Sequence, residues 1–173
     1  IVTLSTADPF IVFHDDSENY GTIVQSGSVT IDNAFRFFIT DAVPDQHKVI
    51  FNVTATDGEE TWESLLAITV FAPELHINQM VIDDYENGNG NGELDPGEEV
   101  TMKIYYSNTG HAIAYNVNSF LEGQSGFVEI LNPNQMIPSL GYFGSYSRTF
   151  DVTVDDDAPE GIVVKFVNEL TMN

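Results

Sequence analysis

Apolar and polar side chains alternate along several short stretches of this chain. The stretches FRFFIT (residues 35–40), EVTMKIYY (99–106) and FDVTV (150–154) each carry an apolar side chain at every second position. This period of two is typical of a β-strand that buries one face and exposes the other to water. No stretch longer than a turn has the period of an amphipathic helix. The pattern predicts an all-β protein built from antiparallel sheets.

Short turn-forming sequences separate these predicted strands. Pro44 and Pro159 are each followed by an acidic residue, Asp57 precedes a glycine, and Asn108 and Gly110 lie within SNTGHA. These residues favour tight turns because proline fixes φ, whereas glycine and asparagine accept positive φ. We therefore expect many short strands joined by tight connections.

The chain also resembles itself at a long spacing. The stretch from Phe35 to Thr56 aligns with the stretch from Phe150 to Thr171 at a constant offset of 115 residues (150 − 35). Upstream, PFIVF from Pro9 aligns with GFVEI at an offset of 117 residues (126 − 9). A two-residue deletion in one connecting turn accounts for the change of offset. A repeat of this length predicts an array of similar domains.

We predict two tandem immunoglobulin-like antiparallel β-sandwiches, each with about seven short strands when complete. Residues 1–73 are the C-terminal part of the first sandwich, and residues 74–173 are the second sandwich without its last strand. Each module lacks strands that the other has, so we interpret the chain as a window on a longer array of domains. The alternative is that identical chains complete each other by strand exchange in a fibre.

The composition limits the partners and the cofactors. The chain has 27 Asp and Glu against 5 Lys and Arg, which gives a formal net charge of −22. Such a charge repels nucleic acid and anionic membranes, and the apolar runs are too short to span a bilayer. The chain has no cysteine, which excludes disulfides and thiolate metal sites. Because divalent cations commonly relieve the repulsion between crowded carboxylates, calcium is the expected cofactor.

The stretch ENGNGNGELDPGE, residues 86–98, has the spacing of a calcium loop. When an EF-hand loop is numbered from Asn87, the oxygen-bearing side chains of Asn89 and Asn91 take positions 3 and 5. Gly92 takes position 6, where the loop turns sharply, and Glu98 takes position 12, where a bidentate acid is required. The spacing therefore predicts a calcium loop at residues 83–98, without the flanking helices of an EF-hand.

The first position of this loop departs from the EF-hand pattern. It holds asparagine where aspartate is usual, and either Asp83 or Asp84, just upstream, can replace it as the first ligand. The alternative interpretation of the stretch is a flexible linker, because sequences rich in glycine and asparagine often connect domains. The candidate calcium ligands are Asp83, Asp84, Asn87, Asn89, Asn91, Glu93, Asp95 and Glu98.

The sequence does not indicate catalytic chemistry. The four histidines are scattered, none lies in an HExxH or nucleophile-elbow motif, and no cysteine is present as a nucleophile. We therefore predict that the chain is not an enzyme and has no catalytic residues.

Aromatic side chains suggest a different function, glycan binding. Tyr142, Phe143 and Tyr146 lie in GYFGSY, where the other copy of the repeat has VQSGSV, and these three are the candidate ligand-binding residues. Tyr20 and Trp62 are further aromatic candidates, although Trp62 is interpreted as an ordinary core or cross-strand residue. A flat, exposed row of rings would favour glycan binding.

The stretch from Ile82 to Val117 resembles the opening of immunoglobulin-like (CARDB-like) repeats in large secreted and cell-surface proteins of the Bacteroidetes and related bacteria. These include regions that follow gingipain-type cysteine peptidase domains. The matching elements are Asp83, the GNGNG loop, the DPGE element, and a strand that ends in an N-T-G turn at residues 108–110.

This resemblance implies a secreted or cell-surface bacterial protein. The module would be non-catalytic and would serve as a spacer, stalk or adhesion element. Its partners would be neighbouring immunoglobulin-like modules of the same or an identical chain, and a glycan or surface ligand. The alternative function is a carbohydrate-binding accessory module of a secreted hydrolase or peptidase.

Overall fold

The structure, a computed structural model, describes residues 1–172 of the 173-residue chain. These residues form β-strands, turns and irregular connections, without an α-helix, and so none of their segments is a helix able to cross a membrane. The strands are β1 (Val2–Ser5), β2 (Ile11–Asp15), β3 (Ser17–Glu18), β4 (Arg36–Ile39), β5 (His47–Thr56), β6 (Thr61–Val70), β7 (Leu75–Asp83), β8 (Glu99–Asn108), β9 (Ala114–Gly123), β10 (Val128–Ile130), β11 (Asn134–Leu140), β12 (Ser145–Val154) and β13 (Phe166–Met172).

The strands belong to two compact units. The first unit is Ile1–Ala72, and the second begins at Pro73. Every strand pair is antiparallel. The prediction of an all-β fold with antiparallel sheets is therefore confirmed.

The first unit contains a four-stranded sheet in the order β3-β1-β5-β6 and a two-stranded sheet, β2-β4. Its buried core consists of Leu4, Ile11, Val49 and Phe51, which come from both sheets. The alternation along FRFFIT places Phe37 against this core, where its ring centroid lies 5.1 Å from that of Phe51.

The second unit contains a sheet in the order β10-β12-β8-β7 and a sheet in the order β11-β9-β13. The apolar side chains of EVTMKIYY are buried at alternate positions along β8, as the sequence pattern predicts. Two sheets with apolar faces around one core are compatible with a β-sandwich. The buried core contains Val100, Met102, Ile104, Tyr106, Ala114, Val117, Leu121, Ile137, Leu140, Phe150 and Val152.

A buried polar contact joins the two sheets of the second unit. The Tyr106 hydroxyl on β8 shares a hydrogen bond of 2.7 Å with Ser119 Oγ on β9, and Asn168 Nδ2 on β13 donates to the same oxygen at 2.8 Å. Burial raises the pKa of Tyr106, although the hydrogen bonds from Ser119 and Asn168 act in the opposite direction. The buried hydroxyl therefore has the partners that a polar group needs inside a core.

Asn108 holds the N-T-G turn at the end of β8. Its Oδ1 accepts hydrogen bonds from Glu74 N and Gly110 N, both at 3.0 Å. Its Nδ2 donates to Ala112 O at 2.7 Å and to Leu140 O at 3.1 Å. Both ends of this buried side-chain amide are bonded, so Asn108 fixes three chain segments at one point.

The two units share strand pairings in the same register. Ile11 lies opposite Ile39 in the first unit. In the second unit Val128, 117 residues after Ile11, lies opposite Val154, 115 residues after Ile39. The pair β1–β5 corresponds in the same way to β9–β13, and β1–β3 corresponds to β9–β11. The strand pairing therefore follows the offsets found in the sequence.

Hydrogen bonds in the connections recur at the same offsets. Leu4 N donates to Asp16 O at 2.8 Å, and Leu121 N donates to Pro133 O at 2.9 Å. These bonds hold equivalent connections even where the side chains differ. Further donor and acceptor pairs at these offsets are Ile11 with Asp8 and Val128 with Ser125, Thr40 with Phe10 and Asp155 with Phe127, Val43 with Thr40 and Ala158 with Asp155, and His47 with Pro44 and Ile162 with Pro159.

Candidate metal centre

The GNGNG loop is the connection between β7 and β8, residues 84–98. It begins where strand β7, LHINQMVID, ends, and it returns to strand at EVTMKIYY. Gly90, Gly92 and Gly97 have φ values of 78°, 78° and 81°. Glycine adopts this left-handed region without a steric penalty, so the glycines let the loop curl back on itself.

Asp95 is the centre of the hydrogen bonds within the loop. Its Oδ2 accepts from Asn89 Nδ2 and from Asn91 Nδ2, both at 2.7 Å. The Oδ1 atoms of the same two asparagines accept from backbone N–H groups two residues further on. The two asparagines and Asp95, all three predicted as calcium ligands, are therefore brought together.

Glu98 closes the loop from its C-terminal end. Its Oε1 accepts from Asn89 N at 2.9 Å, and its Oε2 accepts from Asp95 N at 3.1 Å. A Cβ on Gly88 would lie 2.9 Å from Glu98 Oε1 and 2.8 Å from the backbone oxygen of Asp84. Glycine at this position therefore allows the chain to pass close to the carboxylate.

Asp84 enters the loop from its N-terminal end. The residue is only 3% exposed. Its Oδ2 accepts from Gly92 N at 3.1 Å, and its backbone oxygen accepts from Gly88 N at 2.8 Å. Of the two aspartates that could replace Asn87 at the head of the loop, Asp84 is the one whose carboxylate points into it.

The side chains of the remaining candidate ligands make no hydrogen bond to this network. Asp83 and Asn87 line a separate cavity of about 320 Å³ together with Tyr85. Asp83 Oδ1 accepts a long hydrogen bond, 3.4 Å, from Tyr85 N. Glu93 donates its backbone N–H to Asn91 Oδ1, and it lines a second cavity beside the loop. The network thus joins five of the eight candidates: Asp84, Asn89, Asn91, Asp95 and Glu98.

The loop is fixed to the body of the second unit. Gly97 N donates to Val154 O at 3.2 Å, and Val154 N donates to Glu98 O at 2.9 Å. Leu94 packs against the buried core. A pure linker has no need of such anchors, so these contacts favour a closed loop over a flexible one.

The side chains of the loop that could bind a metal ion offer hard oxygen ligands. Carboxylate and amide oxygens are the atoms that calcium prefers, and three acids with two asparagines fit that preference. In residues 1–172, however, no three His, Asp or Glu side chains already converge as a metal cluster. The carboxylates of Asp84, Asp95 and Glu98 accept N–H hydrogen bonds instead. A cation would therefore have to turn the amides of Asn89 and Asn91 so that their oxygens face it.

The aromatic candidates at residues 142–146 do not form a flat platform. Tyr142 and Phe143 are 61% and 66% exposed, but their rings stand at 84° to each other. Tyr146 is half-buried, and the Arg148 guanidinium lies 4.8 Å from its ring centroid. The rings therefore lack the shared plane on which a sugar face could stack.

Trp62 is not a core residue. It lies opposite Ala55 across the β5–β6 pair and is 56% exposed. Tyr20 and Trp62 both line an open cavity of about 790 Å³ in the first unit. The interpretation of Trp62 as a core residue is therefore wrong, while its cross-strand position is as expected. The sequence gave no sign that Trp62 is exposed. The alternation along a strand shows which residues share one face, but it does not show whether another strand packs on that face.

Comparison with known protein families, with curated proteins and with solved structures gives no significant match. The function of this chain must therefore be inferred from its own residues.

Proposed function

We propose that the chain is a pair of immunoglobulin-like modules that serve as a calcium-stabilised structural spacer or adhesion element of a secreted or cell-surface bacterial protein. The observation that carries this proposal is the closed, anchored loop between β7 and β8, with its five oxygen-bearing side chains in one hydrogen-bonded network. The module is non-catalytic in this proposal, and its partners are neighbouring modules of the same kind.

The strand order of the second unit supports an immunoglobulin-like module. In such folds one sheet has the order A-B-E-D and the other contains C next to F. The sheet β7-β8-β12-β10 fits the first order, and β9 next to β13 fits the second. The first unit repeats the pairings of the second in the same register wherever both have the strands. This agreement supports a tandem repeat.

Calcium would neutralise acidic side chains of the loop and would order its backbone. The carboxylates of Asp84, Asp95 and Glu98 lie in one short connection, and their mutual repulsion is relieved when a divalent cation binds between them. The ion would be held by these acids and by the side-chain oxygens of Asn89 and Asn91. The loop would then become a rigid part of the module, as a spacer requires.

Secretion and the spacer role rest on the resemblance of residues 82–117 to bacterial surface repeats. The strongly acidic composition is consistent with this setting, because extracellular calcium at millimolar concentration can fill weak sites with Kd of about 10⁻⁴–10⁻³ M. At a concentration about ten times Kd, binding stabilises the folded state by about 1.4 kcal/mol. In a domain of this size that corresponds to a rise in Tm of roughly 5–10 °C.

The test is thermal unfolding of the chain in EDTA, in calcium, and in magnesium at equal concentration. We expect calcium to raise the Tm of the native chain, and Asp95→Asn and Glu98→Gln to remove most of this rise. Glu122→Gln is the matched control, because Glu122 is an exposed acid on β9 of the same unit. Asp156, another acid of the same unit, is unsuitable as a control because it lies close to the loop. Its Oδ1 would lie 2.5 Å from a Cβ placed on Gly97.

Two results would contradict a calcium site. An equal rise of Tm in magnesium and calcium would indicate general charge relief. An equal loss of the calcium effect in Glu122→Gln and Glu98→Gln would indicate that any acid of the unit serves as well. In either case the GNGNG stretch would be a linker.

Glycan binding has less support from the geometry. Tyr142 and Phe143 are perpendicular. Tyr20 and Trp62 line a cavity, but the counterpart of Tyr20 at the offset of 117 is Ile137, which is fully buried in the core of the second unit. That cavity is therefore better described as an uncovered core surface than as a sugar site. Quenching of Trp62 fluorescence by soluble polysaccharides would reverse this preference.

A further inference from the structure

The GNGNG loop contains three consecutive Asn-Gly pairs, Asn87-Gly88, Asn89-Gly90 and Asn91-Gly92. In an Asn-Gly pair the backbone nitrogen of the glycine can attack the side-chain amide carbon of the asparagine, because glycine has no side chain to hinder the approach. This reaction is spontaneous and needs no enzyme or cofactor. The three pairs are therefore candidate sites of chemical modification, and their hydrogen bonds distinguish them.

The reaction replaces an amide by a carboxylate. The glycine nitrogen loses its proton and forms a bond to the asparagine Cγ. The bond from Cγ to the side-chain nitrogen breaks, so that ammonia leaves and a succinimide ring remains. Water then opens the ring and gives aspartate, or isoaspartate if the chain continues through the side-chain carboxyl. A molecule of water is consumed and a molecule of ammonia is released, without oxidation or reduction.

Asn89 and Asn91 are a matched pair, because each is preceded and followed by glycine. Their side chains also make the same hydrogen bonds. Each Nδ2 donates to Asp95 Oδ2 at 2.7 Å, and each Oδ1 accepts from the backbone N–H two residues further on. Gly90 and Gly92 both have a φ of 78°. A difference in reactivity is therefore expected to come from the N–H groups of the two glycines.

The hydrogen bond to Oδ1 prepares the asparagine for attack. It closes an Asx turn, a ring that contains both the asparagine Cγ and the nitrogen of the following glycine, so these two atoms are held near each other. The donated N–H also stabilises the negative charge that forms on Oδ1 when the nitrogen attacks. Asn87 lacks this turn, because Asn89 N donates to Glu98 Oε1 instead.

The N–H groups of the three glycines differ in whether they have an acceptor. Gly88 N donates to Asp84 O at 2.8 Å, and Gly92 N donates to Asp84 Oδ2 at 3.1 Å. Within residues 1–172 no group accepts a hydrogen bond from Gly90 N, and a Cβ placed on Gly90 would have no neighbour within 4 Å. Asp84 therefore holds the nitrogens of the two outer pairs and leaves that of the middle pair free to react.

We propose that Asn89 is a modification site, which converts spontaneously to aspartate or isoaspartate through attack by Gly90 N. Of the three pairs, Asn89-Gly90 combines a prepared side chain with a free backbone nitrogen. The product carries a carboxylate in place of the amide that donates to Asp95 Oδ2. Because neighbouring carboxylates repel each other, the conversion increases the need of the loop for a cation. This last consequence rests on the proposed calcium site, whereas the conversion itself does not.

The first experiment follows the conversion in the full chain, incubated in EDTA at neutral pH, by tandem mass spectrometry of its peptides. We expect Asn89 to convert about ten times faster than Asn91, because the reaction at Asn91 must first break a hydrogen bond to a carboxylate. Asn87 is also expected to convert more slowly than Asn89. The control is the same chain unfolded in urea, in which the three sites are expected to convert at similar rates.

Asp84→Ala tests the protection of Asn91 directly. The change removes the acceptor of Gly92 N but leaves the backbone oxygen that accepts from Gly88 N. We expect the rate of conversion at Asn91 to rise about tenfold, because its glycine nitrogen becomes free. The rate at Asn87 is expected to stay the same, which makes Asn87 the control within the same molecule.

Three results would overturn the modification site. The first is conversion at Asn87 or Asn91 that is as fast as at Asn89 in the folded chain. The second is the same order of rates in urea, which would assign the difference to the sequence alone. The third is no rise at Asn91 in Asp84→Ala, or an equal rise at all three asparagines.

A second experiment separates the modification from the calcium site. Asn89→Asp imitates one product, and we expect it to lower the Tm in EDTA and to give a larger rise in Tm with calcium than the native chain shows. Asn116→Asp is the matched control, because Asn116 is an exposed asparagine on β9 of the same unit. Preferential conversion of Asn89 without a larger calcium effect in Asn89→Asp would support the modification site and contradict the calcium site. A larger calcium effect without preferential conversion would do the reverse.

Discussion

The two units have equivalent strands of very different length. In the second unit β12 runs from Ser145 to Val154, whereas its counterpart β4 is confined to Arg36–Ile39. The first seven residues of β12 pair with β8 alone, since β10 reaches only the last three. In residues 1–72 no strand corresponds to β8, and the segment before Arg36 is irregular. The length of a strand therefore depends on its neighbour as much as on its own sequence.

The other sheet of each unit shows the same dependence of strand length on the neighbour, but there the longer strand is in the first unit. β5 is ten residues long beside β6, and β13 is seven residues long without such a neighbour. Each unit also has an open cavity, of about 790 Å³ in the first unit and about 560 Å³ in the second. The comparison teaches that a strand extends as far as a neighbouring strand pairs with it.

The largest expected effect tests whether each core stabilises its own unit. Phe51 and Phe150 are fully buried in the first and second unit. Replacement of either by alanine should lower the free energy of unfolding of its unit by about 3–5 kcal/mol, because it removes apolar contacts and leaves a cavity. Trp62, the single tryptophan, reports on the first unit by fluorescence, and the tyrosine signal in near-ultraviolet circular dichroism reports mainly on the second, which contains six of the seven tyrosines.

The comparison of cores would be broken by a crossed result. If Phe150→Ala lowered the Trp62 transition more than Phe51→Ala did, the two cores described here would not be the units that unfold. Ile50→Ala is a suitable control, because Ile50 is a neighbour of Phe51 in sequence but lies on the exposed face of β5.

A smaller effect is expected at an equivalent turn. Gly27 N donates to Val24 O at 2.8 Å, and Gly144 N donates to Gly141 O at 2.9 Å. A Cβ on Gly27 would lie 2.9 Å from Val24 O, and one on Gly144 would lie 2.8 Å from Gly141 O. Gly27→Ala and Gly144→Ala should each cost about 1 kcal/mol or more, since each turn must shift.

The measurement is urea unfolding followed by the two reporters named above. An equal loss in the free energy of unfolding for Gly27→Ala and Gly144→Ala would support the equivalence of the two units. A cost at only one of the glycines would mean that the shared turn is fixed by different contacts in the two units. Gly126→Ala is the control, because a Cβ there would have no neighbour within 4 Å.

The smallest expected effect concerns an acid that only one unit has. Asp8 Oδ1 accepts from Phe10 N, just as Ser125 Oγ accepts from Phe127 N at the same offset. Asp8 also lies 2.6 Å from His47 Nε2. Burial alone would raise the pKa of Asp8, but the hydrogen bonds and the charge of His47 hold it below its ordinary value of 3.8.

Asp8→Ser keeps the turn and removes the pairing with His47. Because the folded-state pKa of Asp8 is lowered, its contribution to stability is present above pH 3.8 and is lost as the pH falls through the folded-state value. We expect the Tm of Asp8→Ser to lie slightly below that of the native chain at pH 5 and to approach it as the pH falls to 3. A Tm difference that stays constant over this range would exclude the carboxylate as its cause.

The sequence was sufficient for the parts of the fold that depend on local pattern. The alternation in EVTMKIYY predicted the buried face of β8, and the offsets of 115 and 117 predicted pairings that the two units share. The spacing in the GNGNG loop predicted that Asn89, Asn91, Asp95 and Glu98 meet. These features follow from periods and spacings, which a sequence contains directly.

Other features depend on contacts that no local pattern contains. Asp83 and Asp84 are equivalent as neighbours in sequence, and only the direction of the chain after β7 sends Asp84 into the loop and Asp83 to a separate cavity. Trp62 alternates like a core residue, but it is 56% exposed. The rings of Tyr142 and Phe143 stand at 84° to each other, and Phe143 has a positive φ of 53°, which aromatic residues rarely adopt.

The two hairpins of the chain also differ in how fast they can close. β5 and β6 are joined by a turn at residues 57–60, where Asp57 Oδ1 accepts from Glu59 N and Glu60 N, whereas β7 and β8 are separated by residues 84–98. Closure of the longer connection costs about 1.2 kcal/mol more in chain entropy. The β5–β6 hairpin is therefore expected to form first during folding. A cation bound between Asp84, at the start of the β7–β8 connection, and Glu98, at its end, would shorten the effective length of this connection, and so it would act on the refolding rate of the second unit.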